Sequence, residues 1–210
     1  MKRITALVLI AVMLAALVGC SRDSENSSPK MYVEPAQLNK DEENMAKLLG
    51  EGLEDNLIYD FVLDDTVQSM QVAVYELIDG QWDPISDGYL AFTDTKGRIA
   101  LGFDKLCDGY RVATQSEKHS CSTKYGTISE EDTSVMGYAT SILSENAELV
   151  YGKEQPLAVQ IMTSKNEIRS YTVEYFHTPE EYLQYGYEHV YAITIAFSQQ
   201  TVGEIDGAHD

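Results

Sequence analysis

Carboxylates are the most abundant groups in this sequence that could do chemistry. The 210 residues include 34 Asp and Glu against 15 Lys and Arg, for a formal net charge of −19 at pH 7. A glycosidase needs two acids facing each other across a sugar, but no pair stands out among so many. Asp79, Asp83 and Asp87 recur every fourth residue and offer hard oxygen ligands to calcium, although they lack the D-x-D-x-D-G order of an EF-hand.

The other usual catalytic and cofactor signatures are missing from the sequence. The four histidines, His119, His177, His189 and His209, neither repeat at H-x-x-x-H spacing nor join a cysteine pair, as a zinc site requires. A G-x-S-x-G nucleophile elbow, a G-x-G-x-x-G turn and a Walker loop are also lacking. The sequence therefore predicts no catalytic residue and no cofactor. Its negative charge excludes a nucleic-acid partner, which needs a cationic surface.

Aromatic side chains are the one unusual enrichment, with 14 tyrosines in the chain. An amphipathic ring with few rotatable bonds binds sugars and protein surfaces at low entropy cost. Trp82, Tyr182, Tyr185 and Tyr187 are therefore the candidate ligand-binding residues. The alternative is that the tyrosines fill a β core and its rim. Strand alternation assigns three others inward: Tyr171, Tyr175 and Tyr191.

The N-terminal residues have the order of a secretory signal. Lys2 and Arg3 come first, and residues 4–16 follow with Thr5 as their only polar member. The apolar block, residues 4–19, is shorter than the roughly 20 residues that a spanning helix needs, and no second basic cluster closes it. The segment therefore predicts export followed by cleavage.

The four residues that close this block, Leu17-Val18-Gly19-Cys20, resemble the lipobox of bacterial lipoproteins. In that family the cysteine thiol receives a diacylglyceryl group and a peptidase cuts just before it. Small Gly19 suits a narrow protease cleft, and the soft thiol of Cys20 suits thioether formation. The resemblance implies a lipidated Cys20 and a protein anchored on the extracytoplasmic side of a bacterial membrane. The alternative is an ordinary signal peptide with an incidental cysteine.

Composition divides the chain into four parts. Residues 1–19 are the predicted signal peptide, and residues 20–35 are a polar segment that is predicted to act as a flexible tether, because it can bury too little surface to fold. Residues 36–200 are long enough for a single β-rich domain with its own core. Residues 201–210 are predicted to be a frayed acidic tail.

Local signals predict two helices. Asn39 can cap the backbone amide of Glu42 while the Glu42 carboxylate reaches back, which is a capping box. An apolar stripe then recurs at helical spacing and is predicted to pack on a sheet as core: Met45, Leu48, Leu49 and Leu53. Further on, Thr178-Pro179-Glu180-Glu181 predicts a short helix with a capping threonine and a proline in its first turn.

From residue 57 the apolar period changes to two, which indicates half-buried antiparallel strands. The first strand places four apolar side chains on one face: Leu57, Tyr59, Phe61 and Leu63. Asp79-Gly80 and Asp94-Thr95-Lys96-Gly97 each predict a hairpin turn with a left-handed glycine. Later strands are predicted near residues 110–114, 157–161, 171–175 and 191–197. Residues 116–153 are predicted to be mostly loops, with only residues 135–143 and 149–151 apolar enough for short strands.

Roughly eight or nine strands with local hairpins and no βαβ alternation predict a mainly β fold. The expected architecture is an antiparallel β-sandwich-like domain with a short N-terminal helix and a short helix near the C-terminus. The segment 75–103, followed by Asp108-Gly109-Tyr110, resembles uncharacterised lipoproteins of Gram-positive bacteria, and that resemblance implies no activity for any residue.

Two further cysteines, Cys107 and Cys121, would form a disulfide in an exported chain if compartment alone decided. If residues 109–115 are a strand and Ser116-Glu117-Lys118-His119 is a tight turn, Thr114 lies opposite Cys121 and Cys107 lies opposite Ile128, which argues against this pairing. The two thiols are then too far out of register for disulfide geometry. The register favours separate thiols, and both outcomes stay open.

These features predict a membrane-anchored cell-envelope lipoprotein that acts as a non-catalytic binding or interaction module. Its partners are the membrane, through lipidated Cys20, and a cell-wall glycan or a protein. The alternative is an envelope glycan hydrolase that uses a carboxylate pair. A structural envelope component without a small ligand is a third interpretation.

Overall fold

A computed structural model describes residues 31–49, 57–128, 136–169 and 171–206. The described residues form eleven β-strands in two antiparallel sheets. The first sheet contains six of them: β1 (Tyr32–Pro35), β2 (Ile58–Val62), β5 (Lys96–Gly102), β6 (Tyr110–Ser116), β7 (Ser120–Tyr125) and β9 (Ala147–Glu148). Their order across the sheet is β7-β6-β5-β2-β1-β9.

The second sheet has the order β4-β3-β11-β10-β8. Its members are β3 (Ser69–Ile78), β4 (Gln81–Ala91), β8 (Gly137–Ile142), β10 (Gln155–Thr163) and β11 (His189–Ser198). The region 116–153, predicted to be mostly loops, thus supplies three short strands, β7, β8 and β9. The predicted tether is also shorter than expected, because its last four residues form β1 and pair with β2.

The two sheets pack face to face, which confirms the predicted mainly β, sandwich-like fold. The face of β2 that the sequence assigned inward is fully buried, with Tyr59 and Phe61 at most 1% exposed. The Tyr59 hydroxyl donates a hydrogen bond to the carbonyl of Leu157 in the opposite sheet (3.0 Å). The ring of Phe61 lies 6.0 Å from that of Phe197, also in the opposite sheet.

The outer face of the second sheet is covered as well. Every residue of its central strand β11 from His189 to Phe197 is buried. Because successive side chains of a strand point to opposite faces, both faces of β11 are covered. The covering residues belong to the segment 171–187, where Val173, Phe176 and Tyr182 are buried in the same apolar cluster as the sandwich core. This segment contains a 3-10 helix, Val173–His177, where the sequence predicted a strand.

One of the two predicted hairpins is confirmed and the other is wrong. Asp79 and Gly80 have φ values of +51° and +83° and join β3 to β4, with Ile78 paired to Gln81. The second turn signal, residues 94–97, instead lies where the chain crosses from β4 in one sheet to β5 in the other. A local turn sequence does not specify whether the next strand returns to the same sheet.

The glycine of that second signal, Gly97, has a different role from the predicted left-handed turn. It lies within β5, and a Cβ added to it would stand 2.5 Å from the carbonyl oxygen of Gln115 and 2.8 Å from the ring of Phe61. Glycine is therefore required at this position by the close approach of β6 and of the core ring.

The N-terminal helix, α1 (Lys40–Leu49), begins with the predicted capping box. The Asn39 Oδ1 atom accepts hydrogen bonds from the backbone amides of Asp41 and Glu42 (both 3.0 Å), and the Glu42 carboxylate accepts one from the Asn39 amide (2.8 Å). Glu42 also pairs with Arg98 of β5 at 3.0 Å. The helix is thus fixed to the outer face of the first sheet through polar side chains.

The prediction that the apolar stripe of α1 is core is wrong for the side chains that the structure describes. Met45 and Leu48 are 54% and 79% exposed. The physical reason is that helical spacing creates an apolar face, while its burial depends on a matching apolar surface, and the sheet offers Arg98 and Asp60 at this place. The side chain of Leu49 and all of Leu53 lie outside the described residues.

The C-terminal elements partly follow prediction. A short helix, α2 (Glu180–Leu183), forms where expected, but the Thr178 side chain does not cap it. The predicted frayed tail contains a helix, α3 (Val202–Asp206). A capping box begins it, in which the backbone amide of Thr201 donates to the Glu204 carboxylate at 2.8 Å. None of the helices in the described ranges is long and apolar enough to cross a membrane.

The cysteine prediction from hairpin register is confirmed. Thr114 pairs with Cys121 in the β6–β7 ladder, and the backbone amide of Ile128 donates to the carbonyl of Cys107 at 2.9 Å. Cys107 is buried, Cys121 is exposed, and no disulfide joins them.

Candidate functional site

Two of the four predicted ligand-binding aromatics serve packing. Tyr182 is 1% exposed, with its ring 5.4 Å from that of Tyr171 and 6.2 Å from that of Trp82. The Trp82 indole N–H donates to the carbonyl of Phe176 at 2.8 Å, and the two rings stack at 5.0 Å. These contacts fix the segment 171–187 on the outer face of the second sheet. Tyr182 is buried and Trp82 is half-buried in this arrangement, and ligand binding by these two residues stays a prediction.

The other two, Tyr185 and Tyr187, are brought together as a half-buried stacked pair with ring centroids 5.8 Å apart. Cations from a neighbouring loop lie over both rings, the guanidinium of Arg169 at 5.3 Å from Tyr185 and the ammonium of Lys165 at 6.0 Å from Tyr187. The faces of both rings are therefore partly occupied by cationic side chains of the same chain. Less ring area is left for a ligand than two uncovered tyrosines would offer.

The three calcium candidates do not converge. Asp79 lies in the β3–β4 turn, whereas Asp83 and Asp87 are exposed positions on β4, about 13 Å apart along the strand at 3.3 Å per residue. Across the described ranges, no cluster of three His, Cys, Asp or Glu side chains has a geometry that could hold a metal ion.

A polar cluster that the sequence did not reveal lies at the open edge between the sheets. Asp94 follows β4 at the crossing to β5 and is 9% exposed. Its Oδ2 atom accepts hydrogen bonds from the Ser116 hydroxyl (2.6 Å) and from Nδ1 of His119 (2.9 Å). The hydroxyl of Ser116, and to a lesser degree His119, lower the pKa of the Asp94 carboxyl, because both bonds favour the charged form.

The β6–β7 turn holds Ser116 and His119 in place. The backbone amide of Ser116 donates to the carbonyl of His119 (2.8 Å), which closes a tight hairpin over Glu117 and Lys118. The Ser116 Oγ atom accepts from the backbone amides of Lys118 (3.3 Å) and His119 (3.0 Å). The Ser116 hydroxyl has two acceptors within reach, Oδ2 of Asp94 at 2.6 Å and the carbonyl of His119 at 3.2 Å, and the shorter distance favours the bond to Asp94.

Beside this cluster is a cavity of about 370 Å³, which we call the Asp94 cavity. Leu90 of β4, the following residue Phe92, and Cys121 of β7 are among its lining residues. The Phe92 ring is mostly buried, because it packs on Phe61 and Phe197 in the core. Asp94 is the only Asp or Glu among its lining residues, all of which the structure describes. Its volume lies in the lower part of the range of small-molecule sites. Six of its ten lining residues are polar: Thr93, Asp94, Thr114, Ser116, His119 and Ser120.

Chemically, this arrangement can hold and orient a ligand. An ionised carboxylate beside apolar surface accepts hydrogen bonds from a donor group and attracts positive charge. The second acid that a carboxylate-pair mechanism requires is lacking in the lining.

No protein-family model matches the chain, and comparisons with curated proteins and with solved structures find no significant match. The functional argument therefore depends on the residues themselves.

Proposed function

We propose that this chain is a bacterial lipoprotein, anchored by acylated Cys20 on the extracytoplasmic side of a membrane, and that its β-sandwich is a non-catalytic module that binds a small ligand in the Asp94 cavity. The observation that carries the binding function is a cavity of about 370 Å³ that is lined by both apolar and polar residues and has one mostly buried carboxylate in its wall. Such a site fixes a ligand by shape and one directional contact.

The sequence order supports the anchor. A basic start, an apolar block and the lipobox-like Leu17-Val18-Gly19-Cys20 precede a polar stretch, and β1 begins at Tyr32. The eleven residues 21–31 can span at most roughly 36–40 Å when fully extended. Lipidation at Cys20 would therefore hold the acidic sandwich close to the membrane surface without burying it there. Two acyl chains suffice for stable anchoring.

The cavity lining supports binding over hydrolysis. A retaining or inverting glycosidase requires two carboxyl groups at about 5–10 Å from each other around the bond to be cleaved. The Asp94 cavity supplies one, and that carboxyl has a lowered pKa, which suits an ionised acceptor and not a proton donor. The proposed ligand is a small molecule of the cell envelope, and cell-wall glycan fragments and an amine are its candidate classes.

A titration with small probes tests this function. The full chain, purified in nonionic detergent and labelled with ¹⁵N, is titrated with N-acetylglucosamine, muramyl dipeptide and phenethylamine. We expect at least one probe to shift the amide resonances of residues 90–94 and 116–121. The shifts should vanish in Ser120→Trp, because Ser120 is an exposed lining residue and a bulky ring there occupies the cavity.

Two outcomes would overturn the proposal. The first is the absence of shifts with all three probes, or shifts confined to other surfaces. The second is release of reducing ends from peptidoglycan by the purified chain, which would favour the glycan hydrolase.

A further inference from the structure

We infer that the Asp94 cavity selects a small organic cation, an ammonium group carried on an apolar body. This inference rests on the proposed binding function and deepens it, because it names the chemical class of the ligand.

Charge is the first argument. Asp94 is the only acid in the lining, and no Lys or Arg is among the lining residues. Its side chain is 10% exposed, so the solvent screens its charge less than that of a surface acid. Lys118 is close enough to act on Asp94 through its charge, but it lies in the hairpin turn outside the lining. His119 also lines the cavity, with its Nδ1 atom 2.9 Å from Oδ2 of Asp94. With histidine counted as neutral, as in the formal charge of the chain, the lining has a net charge of −1.

The distribution of hydrogen bonds on the carboxylate is the second argument. The bonds from Ser116 and His119 both end on Oδ2. The other oxygen, Oδ1, keeps its acceptor capacity for a ligand. A ligand N–H⁺ placed there makes a charge-assisted hydrogen bond, which is about twice as strong as a neutral one.

The apolar part of the lining is the third argument. Leu90, Ala91 and Phe92 contribute apolar surface to the lining beside the carboxylate, and a strongly hydrated inorganic cation gains nothing from contact with that surface. An organic ammonium ion brings its own apolar surface, which gains free energy when it covers the apolar part of the lining. The volume of about 370 Å³ accommodates an amine with a ring or short chain.

Cys121 gives a direct readout of this charge preference, because it lines the cavity and is exposed while Cys107 is buried. The full chain in nonionic detergent is treated with two methanethiosulfonate reagents, one carrying trimethylammonium and one carrying sulfonate. Trypsin cleavage after Lys118 and Lys124 then releases residues 119–124 for mass spectrometry, so that labelling of Cys121 is measured alone.

We expect the cationic reagent to label Cys121 roughly tenfold faster than the anionic one. In Asp94→Asn, which keeps the shape and an acceptor oxygen, the ratio should fall several-fold. The matched control is Asp83→Asn, an exposed acid on β4 outside the lining, which removes the same net charge. Its ratio should remain within about twofold of the parent ratio, because exposed distant charges are screened.

A second variant covers the case in which Asp94→Asn does not fold. Ser120→Lys introduces a positive charge at an exposed lining position and leaves the Asp94 cluster intact. It should also lower the labelling ratio several-fold, measured in this variant on residues 121–124, because trypsin also cuts after the new lysine. Equal ratios in the parent, Asp94→Asn and Ser120→Lys proteins would overturn the inference.

Protection by probes separates this inference from the proposed function. Phenethylamine should slow the labelling of Cys121 by neutral N-ethylmaleimide at concentrations roughly tenfold lower than phenethyl alcohol does. Equal protection by the amine and the alcohol would leave the binding function standing and overturn the cation selectivity. No protection by either would overturn the cation selectivity, and the binding function would then be decided by the resonance shifts with N-acetylglucosamine and muramyl dipeptide.

Discussion

The Nδ1 atom of His119 lies 2.9 Å from the Oδ2 atom of Asp94, a contact that joins the β6–β7 hairpin to the segment where the chain leaves the second sheet for the first. Ser116 reinforces this connection with its own bond to Asp94. One wall of the cavity is thereby fixed to a loop that crosses between the sheets.

Replacement of Ser116 by alanine tests this connection. Ser116→Ala removes the donor to Asp94 and the acceptor for two backbone amides, so we expect the free energy of unfolding to fall by about 1–2 kcal/mol at pH 7. Urea unfolding, followed by the fluorescence of the single tryptophan Trp82, measures it. Ser120→Ala is the control, with a change within about 0.5 kcal/mol.

The same variant has a defined pH dependence. The pKa of Asp94 is lowered in the folded chain, first by the Ser116 hydroxyl, so the stabilisation is present above the usual Asp pKa of about 3.9 and is lost as the pH falls below it. The difference between parent and Ser116→Ala should shrink below pH 4. An unchanged difference between pH 7 and pH 3 would contradict the role of the ionised carboxylate.

Gly97 tests the close approach of β5, β6 and the core. In Gly97→Ala the new methyl meets the Gln115 carbonyl and the Phe61 ring, and we expect a loss of about 2–3 kcal/mol of unfolding free energy. Gly102→Ala, in the same strand, is the matched control, because its nearest neighbour atom is the Cβ of Arg111 at 4.0 Å. Similar stabilities of the two variants in urea would count against this packing.

Two tyrosines provide a matched pair for buried hydroxyl groups. The hydroxyl of Tyr182 is buried without a hydrogen-bond partner, whereas that of Tyr59 donates to Leu157 at 3.0 Å. Tyr182→Phe should leave the free energy of unfolding unchanged or raise it by up to about 1 kcal/mol, and Tyr59→Phe should lower it by about 1 kcal/mol. The reverse order, measured by thermal unfolding, would show that Tyr182 has a polar role.

Glu188 is expected to contribute to the loss of unfolding free energy in acid. Hydrogen bonds from Ser164 and then Thr163 lower the pKa of Glu188 to about 2. Because this pKa is depressed, its stabilisation is complete above the usual Glu pKa of about 4.3 and is lost as the pH falls from there towards 2. We expect Glu188→Gln to be less stable than the parent at pH 7, with the difference shrinking below pH 4. A constant difference from pH 7 to pH 3 would refute this.

Features set by neighbouring residues were predictable from the sequence. The Asn39–Glu42 capping box and the pairing of Thr114 with Cys121 both depend on residues a few positions apart. Alternation also placed Tyr59 and Phe61 inward, because the side-chain period of a strand is fixed by its backbone.

Features that depend on distant segments were not predictable. Residues 94–97 have the composition of a hairpin turn, but they cross between sheets, and only this crossing brings Asp94 to Ser116 and His119. The exposure of Met45 and Leu48 likewise depends on what the first sheet presents to α1. The sequence contains the tight turn that holds Ser116 and His119, and it contains Asp94 before β5. No known sequence motif relates such a turn to such an acid, so their contact could not be predicted.

The most direct test of the account is the chemical state of Cys20 in protein taken from native bacterial membranes. Mass spectrometry of the mature N-terminal peptide should find Cys20 as the first residue, with a diacylglyceryl group on its sulfur. An intact leader, or an unmodified thiol at that position in protein released to the medium, would contradict a sandwich that binds its ligand at a membrane surface.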